Sequence, residues 1–340
     1  MNIFIIGGTG LLGCAAAELL LREGHAVTSL ALPPLPQGAL MPPGMALRFG
    51  NYLEQSDDEI RAALQGCDCF IFAAGVDERV EFPAPVYESY QKYNIDPVKR
   101  WLTLAKDCGV KNAVVLGSYF SYFAKEWPEL NLTQHHPYIR SRIAQEEAAL
   151  ALADEGFCVS VLELPYIFGT QPGRKPVWTI LIEQLEGMGK MTMFPKGGTA
   201  MLTVRQVAQC IAGAAKRHAT GQDAPGMAYP IGYYNLSWRS FLTIVHAAMG
   251  QPKRRIFDIP KWTFQAYGLK LRADYKKRGI EPGIDPVGLA EIMCRETYVS
   301  RAPAQALGAT GDDLKSAISD SIRLSVEAAK GAELVEMKAE

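Results

Sequence analysis

The sequence predicts an α/β protein in which a doubly wound parallel sheet is followed by a smaller C-terminal lobe. Three observations predict it. Nearly all-apolar strands alternate with helices over the first half of the chain, an N-terminal strand runs directly into a glycine-rich turn, and the alternation is lost after Pro165. Alternating strand–helix–strand units form parallel sheets that helices cover on both faces. Strands buried in this way are apolar throughout rather than on alternate residues.

The individual elements follow from local signals at their ends. Ser56 is a good N-cap for the helix that follows it, and Gly24, Gly66 and Gly109 each follow the expected end of a helix. The expected strands are 3–6, 25–32, 46–49, 69–74, 113–116 and 158–162, and the expected helices are 11–23, 57–64, 96–108 and 138–155.

After Pro165 the chain changes character, with frequent glycine and proline and with clustered aromatic residues. Two helices are still expected there, at 204–218 and 237–249. We therefore expect a sheet domain over residues 1–168, to which about 200–220 returns. A smaller lobe is expected over 169–328, where it closes over the strand ends, and a frayed tail over 329–340.

The composition favours a globular protein that binds neither nucleic acid nor a membrane. The 340 residues are 48% hydrophobic and 21% charged, with a net charge of −1. Near-neutral charge does not favour a polyanionic partner, and no apolar run is long enough to span a bilayer. The basic and aromatic stretch 261–278 has two interpretations. It is either an interfacial helix or, as we favour, a solvated helix face with one buried stripe.

The cysteines and histidines predict no metal site. The seven cysteines are scattered and none has Cys-x-x-Cys spacing. His135 and His136 form a lone doublet before a proline, which we assign to a loop. The N-terminus has no basic region ahead of its apolar run, which is already the first strand, so we expect no signal peptide. A reducing, cytoplasmic location is therefore expected.

The glycine-rich turn is the strongest functional signal in the chain. Gly7, Gly10 and Gly13 lie three residues apart between the first strand and the first helix. Gly7 permits a tight turn, Gly10 removes a side chain where backbone must approach a phosphate, and Gly13 lets the helix pack closely on the strand. The helix that begins at Leu11 directs its free N–H groups and its positive dipole end at the same place. The turn predicts a dinucleotide site, with a purely structural turn as the alternative.

Tyr138, Arg142 and Ser118 form a candidate catalytic group. Tyr138 and Arg142 are four residues apart on a predicted helix and therefore share a face. The cation is expected to stabilise phenolate and to lower the tyrosine pKa from about 10 toward working pH. Ser118 directly follows the apolar fifth strand, so it faces the same crevice as the glycine turn. Ser121 competes for this role, but the register favours Ser118.

These segments together resemble the extended short-chain dehydrogenase/reductase superfamily, in its NAD-dependent epimerase/dehydratase branch. The similarity covers roughly residues 1–250 in the right order. It rests on Gly7-Gly8-Thr9-Gly10-Leu11-Leu12-Gly13, Phe72-Ala73-Ala74-Gly75, Tyr93-Asn94, Gly109-Val110-Lys111-Asn112 leading to Ser118, the Tyr138 helix, Leu164-Pro165-Tyr166-Ile167-Phe168-Gly169 and Leu202-Thr203-Val204-Arg205-Gln206-Val207-Ala208. The resemblance implies a Rossmann domain that binds NAD or NADP.

The resemblance also implies a role for each matching residue. Tyr138 is implied to be the acid/base that moves a proton to or from a substrate oxygen, and Ser118 to hydrogen-bond that oxygen. Arg142 takes the place of the catalytic lysine. The implied cofactor contacts are Gly7, Thr9, Gly10, Leu11, Leu12, Gly13, Asn51, Ala73, Ala74, Gly75, Asn94, Tyr138, Arg142 and Pro165, with Tyr166 also near the nicotinamide.

Two departures from the family pattern bear on activity and on cofactor preference. The family motif is Tyr-x-x-x-Lys, whereas Arg142 is bulkier and planar although it keeps the charge. The second strand ends Leu30-Ala31-Leu32, without the acid that binds the ribose hydroxyls in many NAD-preferring members. Arg48 is a candidate for a 2′-phosphate contact, although we favour a solvated strand-end residue. The sequence therefore predicts NAD or NADP without a preference.

The sequence thus predicts an NAD(P)-dependent oxidoreductase, epimerase or dehydratase that acts on a secondary alcohol or carbonyl of a small molecule. A sugar nucleotide is the commonest substrate of the branch, and a hydrophobic ring ketone is the alternative if the aromatic run 119–127 lines a pocket rather than forming a packed loop. A catalytically lapsed dinucleotide-binding sensor or scaffold is the rival, and Arg142 supports it. An RNA- or protein-binding relative is a weaker third reading. The resemblance also suggests a homodimer through the helices after Tyr93 and Tyr138.

Overall fold

The structure, a computed structural model, describes residues 1–33, 35, 38, 40–217, 224–332, 334 and 335. The strands are β1 (Asn2–Ile6), β2 (Ala26–Ala31), β3 (Ala46–Phe49), β4 (Cys69–Phe72), β5 (Phe82–Pro83), β6 (Asn112–Ser118), β7 (Cys158–Leu164), β8 (Tyr166–Phe168), β9 (Met191–Pro195), β10 (Gly198–Thr203), β11 (Gly226–Pro230), β12 (Tyr234–Ser237), β13 (Arg255–Ile259), β14 (Ile280–Glu281) and β15 (Glu296–Thr297). The helices are α1 (Leu11–Arg22), α2 (Asp57–Leu64), α3 (Val86–Tyr90), α4 (Asp96–Asp107), α5 (Tyr119–Glu126), α6 (Leu132–His135), α7 (Pro137–Leu150), α8 (Thr179–Gly187), α9 (Val204–Ala215), α10 (Trp238–Ala248), α11 (Lys261–Lys277), α12 (Leu289–Met293), α13 (Ala302–Ala306) and α14 (Leu314–Ala329).

A parallel sheet of seven strands carries the first half of the chain, in the order β11-β7-β6-β4-β1-β2-β3. Helices cover both faces. Ile3 and Ile5 of β1 pack in one core cluster with α1 and α9, whereas Phe4 and Ile6 pack in the other with α2 and α4. Each strand is therefore buried on both sides, which explains the uninterrupted apolar runs. The predicted doubly wound parallel sheet is confirmed.

The chain after β7 builds a smaller lobe and then returns to the large sheet. β10 pairs with β8, β12 and β15, and β9 pairs with β13. Phe168, Trp238 and Phe241 fill the core of this lobe. The return begins with α9, which packs on α1, and ends with β11, which lies beside β7. The chain thus rejoins the sheet domain over α9 and β11, whereas β10 belongs to the small sheet.

The bounds of several elements match the expectation closely, and others differ. β3 and α2 begin and end where predicted, and the Ser56 side chain caps α2 by accepting from the Glu59 N–H. α7 stops at Leu150 rather than at 155, because the chain turns back through a bridge between Asp154 and Phe157 to enter β7. The helix expected at 204–218 ends at 215, and position 218 lies outside the described residues.

Two segments expected to be irregular are ordered. The aromatic run expected to be a loop forms α5, which Ser118 caps by accepting from the Phe120 N–H at 3.3 Å. In the tail expected to be frayed, Val335 donates its N–H to the Gly173 carbonyl and accepts from the Lys175 N–H, both at 3.0 Å. Tail positions 333 and 336–340 lie outside the described residues.

The basic stretch expected at 261–278 is helix α11. Gly268 is buried in it, while Trp262, Tyr267 and Leu269 are exposed. Among the described residues, no helix is both long and apolar enough to cross a membrane.

Candidate active site

The glycine turn is shaped by contacts that leave no room for side chains. Gly7 has a φ of +87°, and a Cβ there would lie 2.6 Å from the Ala73 carbonyl oxygen. A Cβ on Gly13 would lie 2.3 Å from the Gly7 carbonyl oxygen, so α1 can pack this closely only with glycine. Gly10 is the N-cap of α1 and offers no side-chain cap. The N–H groups of the first turn receive no side-chain cap from Gly10, so they can donate to a bound anion.

Residues outside the glycine motif hold the turn in place. Ser29, fully buried in β2, accepts from the Gly8 N–H at 3.1 Å. The Thr9 carbonyl accepts from Gln171 Nε2 at 3.0 Å and from Arg174 Nη2 at 3.1 Å. None of these three side chains was predicted from the sequence. Ser29 lies inside a strand pattern, and the contacts of Gln171 and Arg174 depend on how the second lobe folds back.

Ala73, Ala74 and Gly75 follow β4 directly beside the glycine turn, where the Ala73 N–H donates to the Ile6 carbonyl at 2.9 Å. Asn94 is fully buried behind them, and its side-chain amide makes two hydrogen bonds with the backbone of Val76. Its Oδ1 accepts from Val76 N at 2.8 Å, and its Nδ2 donates to the Val76 carbonyl at 2.9 Å. Asn94 thus fixes the chain at the carboxyl end of β4.

Tyr138 and Arg142 are buried together on α7. The Arg142 Cζ lies 5.0 Å from the centre of the Tyr138 ring. Arg142 is 7% exposed; its Nη1 donates to Gln145 Oε1 at 2.9 Å and its Nη2 to the Val76 carbonyl at 3.2 Å. Its Nε is buried without a hydrogen-bond partner among the described residues. A buried unpaired donor on a cation is costly unless a ligand oxygen satisfies it.

The pKa of Tyr138 moves opposite to the expectation. Burial raises the pKa of Tyr138, Arg142 lowers it by less, and the carboxylates of Glu78 and Asp77 add to the rise. The phenol is surrounded by the rings of Tyr90 and Phe120, at 5.5 and 6.4 Å between centres. The predicted fall toward working pH was wrong, because desolvation outweighs the charge of Arg142.

Ser118 lies at the carboxyl end of β6, opposite Leu164 of β7. Its Oγ accepts from a backbone N–H and keeps its own proton to donate. The competing Ser121 is 1% exposed and lies within α5.

The other residues predicted to contact the cofactor, Asn51, Pro165 and Tyr166, lie in turns and at strand ends. Asn51 Oδ1 accepts from Leu53 N at 3.0 Å, and its Nδ2 donates to Glu54 Oε1 at 3.0 Å, so its side chain stabilises a local turn. Pro165 separates β7 from β8. Tyr166 then packs its ring on Trp178, 5.3 Å between centres.

A charged loop that the sequence analysis missed follows Val76. Asp77 and Arg79 form an ion pair. The loop begins beside the Tyr138–Arg142 pair, because the Val76 carbonyl just before Asp77 accepts from Arg142 Nη2 at 3.2 Å. The charges of Glu78 and Asp77 both raise the pKa of Tyr138. In the part of the chain that the structure describes, no cluster of three or more His, Cys, Asp or Glu side chains could hold a metal ion.

The glycine turn follows β1 of the parallel sheet, and the buried Tyr138–Arg142 pair lies on α7, which packs on β6 and β7 of that sheet. A sequence model of the NAD dependent epimerase/dehydratase family matches residues 3–232. The chain belongs to that family, which confirms the resemblance inferred from its motifs.

Individual relatives are distant. A protein of Bacillus subtilis (strain 168) described as the uncharacterized sugar epimerase YhfK is 25% identical over 130 residues, covering 38% of this chain and 58% of that protein. The UDP-glucose 4-epimerase of Bifidobacterium longum, solved with NAD+ and UDP, superposes with a TM-score of 0.65 at 16% identity, over 98% of this chain and 99% of its own. The human epimerase family protein SDR39U1, solved with NADPH, gives 0.63 at 15% identity, over 97% and 100%. These two structures establish the shared fold.

Proposed function

We propose that the protein is an NAD(P)-dependent enzyme that oxidises a secondary alcohol, or reduces the matching carbonyl, of a sugar nucleotide. The observation that carries the proposal is the buried pair of Tyr138 and Arg142; the Arg142 Nε has no hydrogen-bond partner among the described residues. Such a group suits proton transfer beside a bound anion or ribose oxygen.

The residues present fit a dinucleotide. A Cβ on Gly7 or Gly13 would clash with neighbouring backbone, so the two glycines keep the turn tight and the N-terminus of α1 close to β1. The uncapped first turn of α1 suits a pyrophosphate, and Arg142 suits a ribose. A bound NAD or NADP would supply the hydride acceptor or donor, and the positive charge of an oxidised nicotinamide would oppose the burial that raises the Tyr138 pKa.

The chain's own residues handle the proton. In the oxidative direction, Tyr138 Oη as phenolate takes the proton of the substrate hydroxyl, for whose C–H hydride a bound NAD or NADP would be the acceptor. Ser118 Oγ–H donates to the same oxygen and holds it in place. Arg142 stabilises the phenolate. In the reductive direction Tyr138 returns the proton.

A sugar nucleotide is the substrate class that the site favours over a ring ketone. Asp77, Glu78 and Arg79 put charged groups near Tyr138, and these suit hydroxyl-rich ligands better than apolar rings. The printed names of the relatives, a sugar epimerase and a UDP-glucose 4-epimerase, support the same class.

Calorimetric titration with NAD and NADP, followed by product analysis with a panel of UDP- and GDP-sugars, tests the proposal. Tyr138→Phe is expected to reduce turnover by at least about 10³-fold while leaving dinucleotide affinity within several-fold. Tyr267→Phe, on the exposed face of α11, is the matched control. An unchanged rate in Tyr138→Phe would remove the acid/base role.

The rival function is a dinucleotide-binding sensor or scaffold without turnover. Its support is that Arg142 is committed to Gln145 and to the Val76 carbonyl. Dinucleotide binding by the wild type without product from any sugar nucleotide in the panel would favour this function.

A further inference from the structure

A loop of the second lobe reaches across to the glycine turn. Gln171 and Arg174 both donate to the carbonyl of Thr9, at 3.0 and 3.1 Å. A small cavity lies beside Leu11, the first residue of α1, and its other walls include Gly169, Gln171, Arg174 and Pro176. The cavity therefore joins the N-terminus of α1 to a cation from the other lobe.

The loop carries buried polar atoms without a hydrogen-bond partner in the described part of the chain. Arg174 Nε is buried without a hydrogen-bond partner among the described residues, and as a donor it can be satisfied by an anion. Gln171 is 6% exposed and its Oε1 is likewise without a partner there, but as an acceptor it would take a donor rather than an anion. Burial lowers the pKa of the Arg174 guanidinium, and Cys14 opposes the shift. Desolvating a cation in this way is unfavourable unless an anion offsets it.

The C-terminal tail holds this loop in position. Val335 makes two backbone hydrogen bonds across the Arg174 position, one to the Gly173 carbonyl and one from the Lys175 N–H, both at 3.0 Å. The guanidinium is thus presented to the glycine turn by a fixed backbone, which lowers the ordering cost of binding.

We infer that Arg174 binds the pyrophosphate of the dinucleotide, as the second wall of a cradle whose first wall is the glycine turn and the N-terminus of α1. The inference rests on the proposed dinucleotide site and extends it to the second lobe. An arginine has five N–H donors, of which one serves Thr9 here, so a phosphate oxygen can be added without breaking that contact.

The Gln171→Ala variant distinguishes phosphate binding by Arg174 from a purely structural role of that residue. It donates to the same Thr9 carbonyl without carrying charge, so Gln171→Ala removes an equivalent restraint on the turn. If Arg174 only held the turn, the two substitutions would weaken binding equally. If it binds phosphate, Arg174→Gln weakens binding far more.

The experiment is a set of calorimetric titrations of the full chain with the dinucleotide that the wild type binds, with ADP-ribose and with UDP-glucose, at low and high salt. Arg174→Gln is expected to lower affinity for the dinucleotide and ADP-ribose by about 10- to 100-fold and to reduce their salt dependence. Arg174→Lys is expected to give an intermediate loss. Gln171→Ala removes one restraint on the turn and is expected to lose much less affinity than Arg174→Gln. The exposed-surface control Arg323→Gln is expected to stay within about threefold.

Three results would overturn the inference. The first is that Arg174→Gln and Gln171→Ala bind the dinucleotide with equal affinity. The second is a loss of affinity confined to UDP-glucose, which would assign Arg174 to the substrate diphosphate, and the third is no dinucleotide binding by the wild type. The last result overturns the dinucleotide site as well. Failure of the Tyr138 experiment with Arg174 behaving as expected would overturn the proposed catalysis alone.

Discussion

At the scale of single residues, Arg142 and burial have opposite effects on the pKa of Tyr138. Its positive charge lowers the pKa of Tyr138, which burial raises. Arg142→Gln removes that charge, so the pH at which oxidation reaches half its maximal rate is expected to rise by about one unit or more. The measurement is the pH–rate profile with saturating cofactor. Arg142→Lys keeps the charge and is expected to shift the profile less; equal shifts would show that charge is not the cause.

Glu163 is a second residue whose burial has a measurable consequence. Lys125 Nζ lies 2.9 Å from Glu163 Oε1 and 2.6 Å from Glu146 Oε1, so one cation serves two carboxylates. Burial raises the pKa of Glu163 to about 7, the charge of Glu146 adds to the rise and Lys125 opposes it. The native state therefore holds more protons than the unfolded state between pH 4.5 and 7, and the Glu163 contribution to stability falls as pH rises through that window.

When the pH is raised from 5 to 8, the free energy of unfolding of Glu163→Gln is therefore expected to fall less than that of the wild type, by on the order of 2 kcal/mol. Urea unfolding at both pH values measures it, and Glu147→Gln, on the exposed side of α7, is the control. A pH dependence identical to that of the wild type would contradict the raised pKa.

At the scale of elements, the approach of α1 to β1 depends on one missing side chain. Gly13→Ala would place a Cβ 2.3 Å from a backbone oxygen, so α1 has to move away. We expect a loss of about 1–3 kcal/mol of stability and a loss of dinucleotide binding. A Cβ on Gly187 in α8 would have no neighbour within 4 Å among the described residues outside its own helix, so Gly187→Ala is expected to stabilise by about 0.5–1 kcal/mol. Chemical denaturation and calorimetry of both variants test this; normal dinucleotide affinity in Gly13→Ala would mean that this packing does not shape the site.

The elements that could be predicted from sequence are those whose signals are local. β1, α1 and α2 have apolar patterns, caps and glycine stops within their own residues. α5 could not be predicted, because its run of aromatic residues has no clear period and its cap, Ser118, already belonged to a strand. The small lobe was unpredictable for another reason. β15 has two residues, and its identity depends on pairing with β10, almost a hundred positions earlier in the chain.

The same distinction applies to the candidate site. The glycine turn, Ser118, Tyr138 and Arg142 carry motifs of fixed spacing. Gln171 and Arg174 carry none, because their partner Thr9 is brought to them only by the folded second lobe. The direction of the Tyr138 pKa was unpredictable as well, since it depends on how completely tertiary packing removes water from the phenol.

At the scale of the whole molecule, hydrogen bonds join the second lobe to the start of α7. The Tyr138 N–H donates to the Gly283 carbonyl at 2.9 Å, and the Asp285 N–H donates to His136 Nδ1 at 3.0 Å. His136 is 1% exposed. Its ring nitrogen can accept this bond only while unprotonated, so the contact between the lobes has a built-in dependence on acid.

Burial lowers the pKa of His136 to about 4, Asp285 opposes the shift and His135 adds to it. The unfolded state therefore takes up the proton first, so the contribution of His136 is complete above pH 6.5 and is lost as pH falls toward 4. This sign is opposite to that of Glu163, and in the wild type the two effects partly cancel over their shared range.

His136→Asn separates the two effects, because its amide oxygen can accept the Asp285 N–H without titrating. Relative to its own stability at pH 7, the variant is expected to lose up to about 2 kcal/mol less than the wild type on acidification to pH 5. Hydrogen exchange should show the Asp285 and Gly288 amides opening at acid pH in the wild type but not in the variant. Glu163→Gln removes a loss of stability that occurs as pH rises, whereas His136→Asn removes one that occurs as pH falls. The two substitutions should therefore change the slope of the unfolding free energy against pH in opposite directions. Changes of slope in the same direction would show that one of these two pKa assignments is wrong.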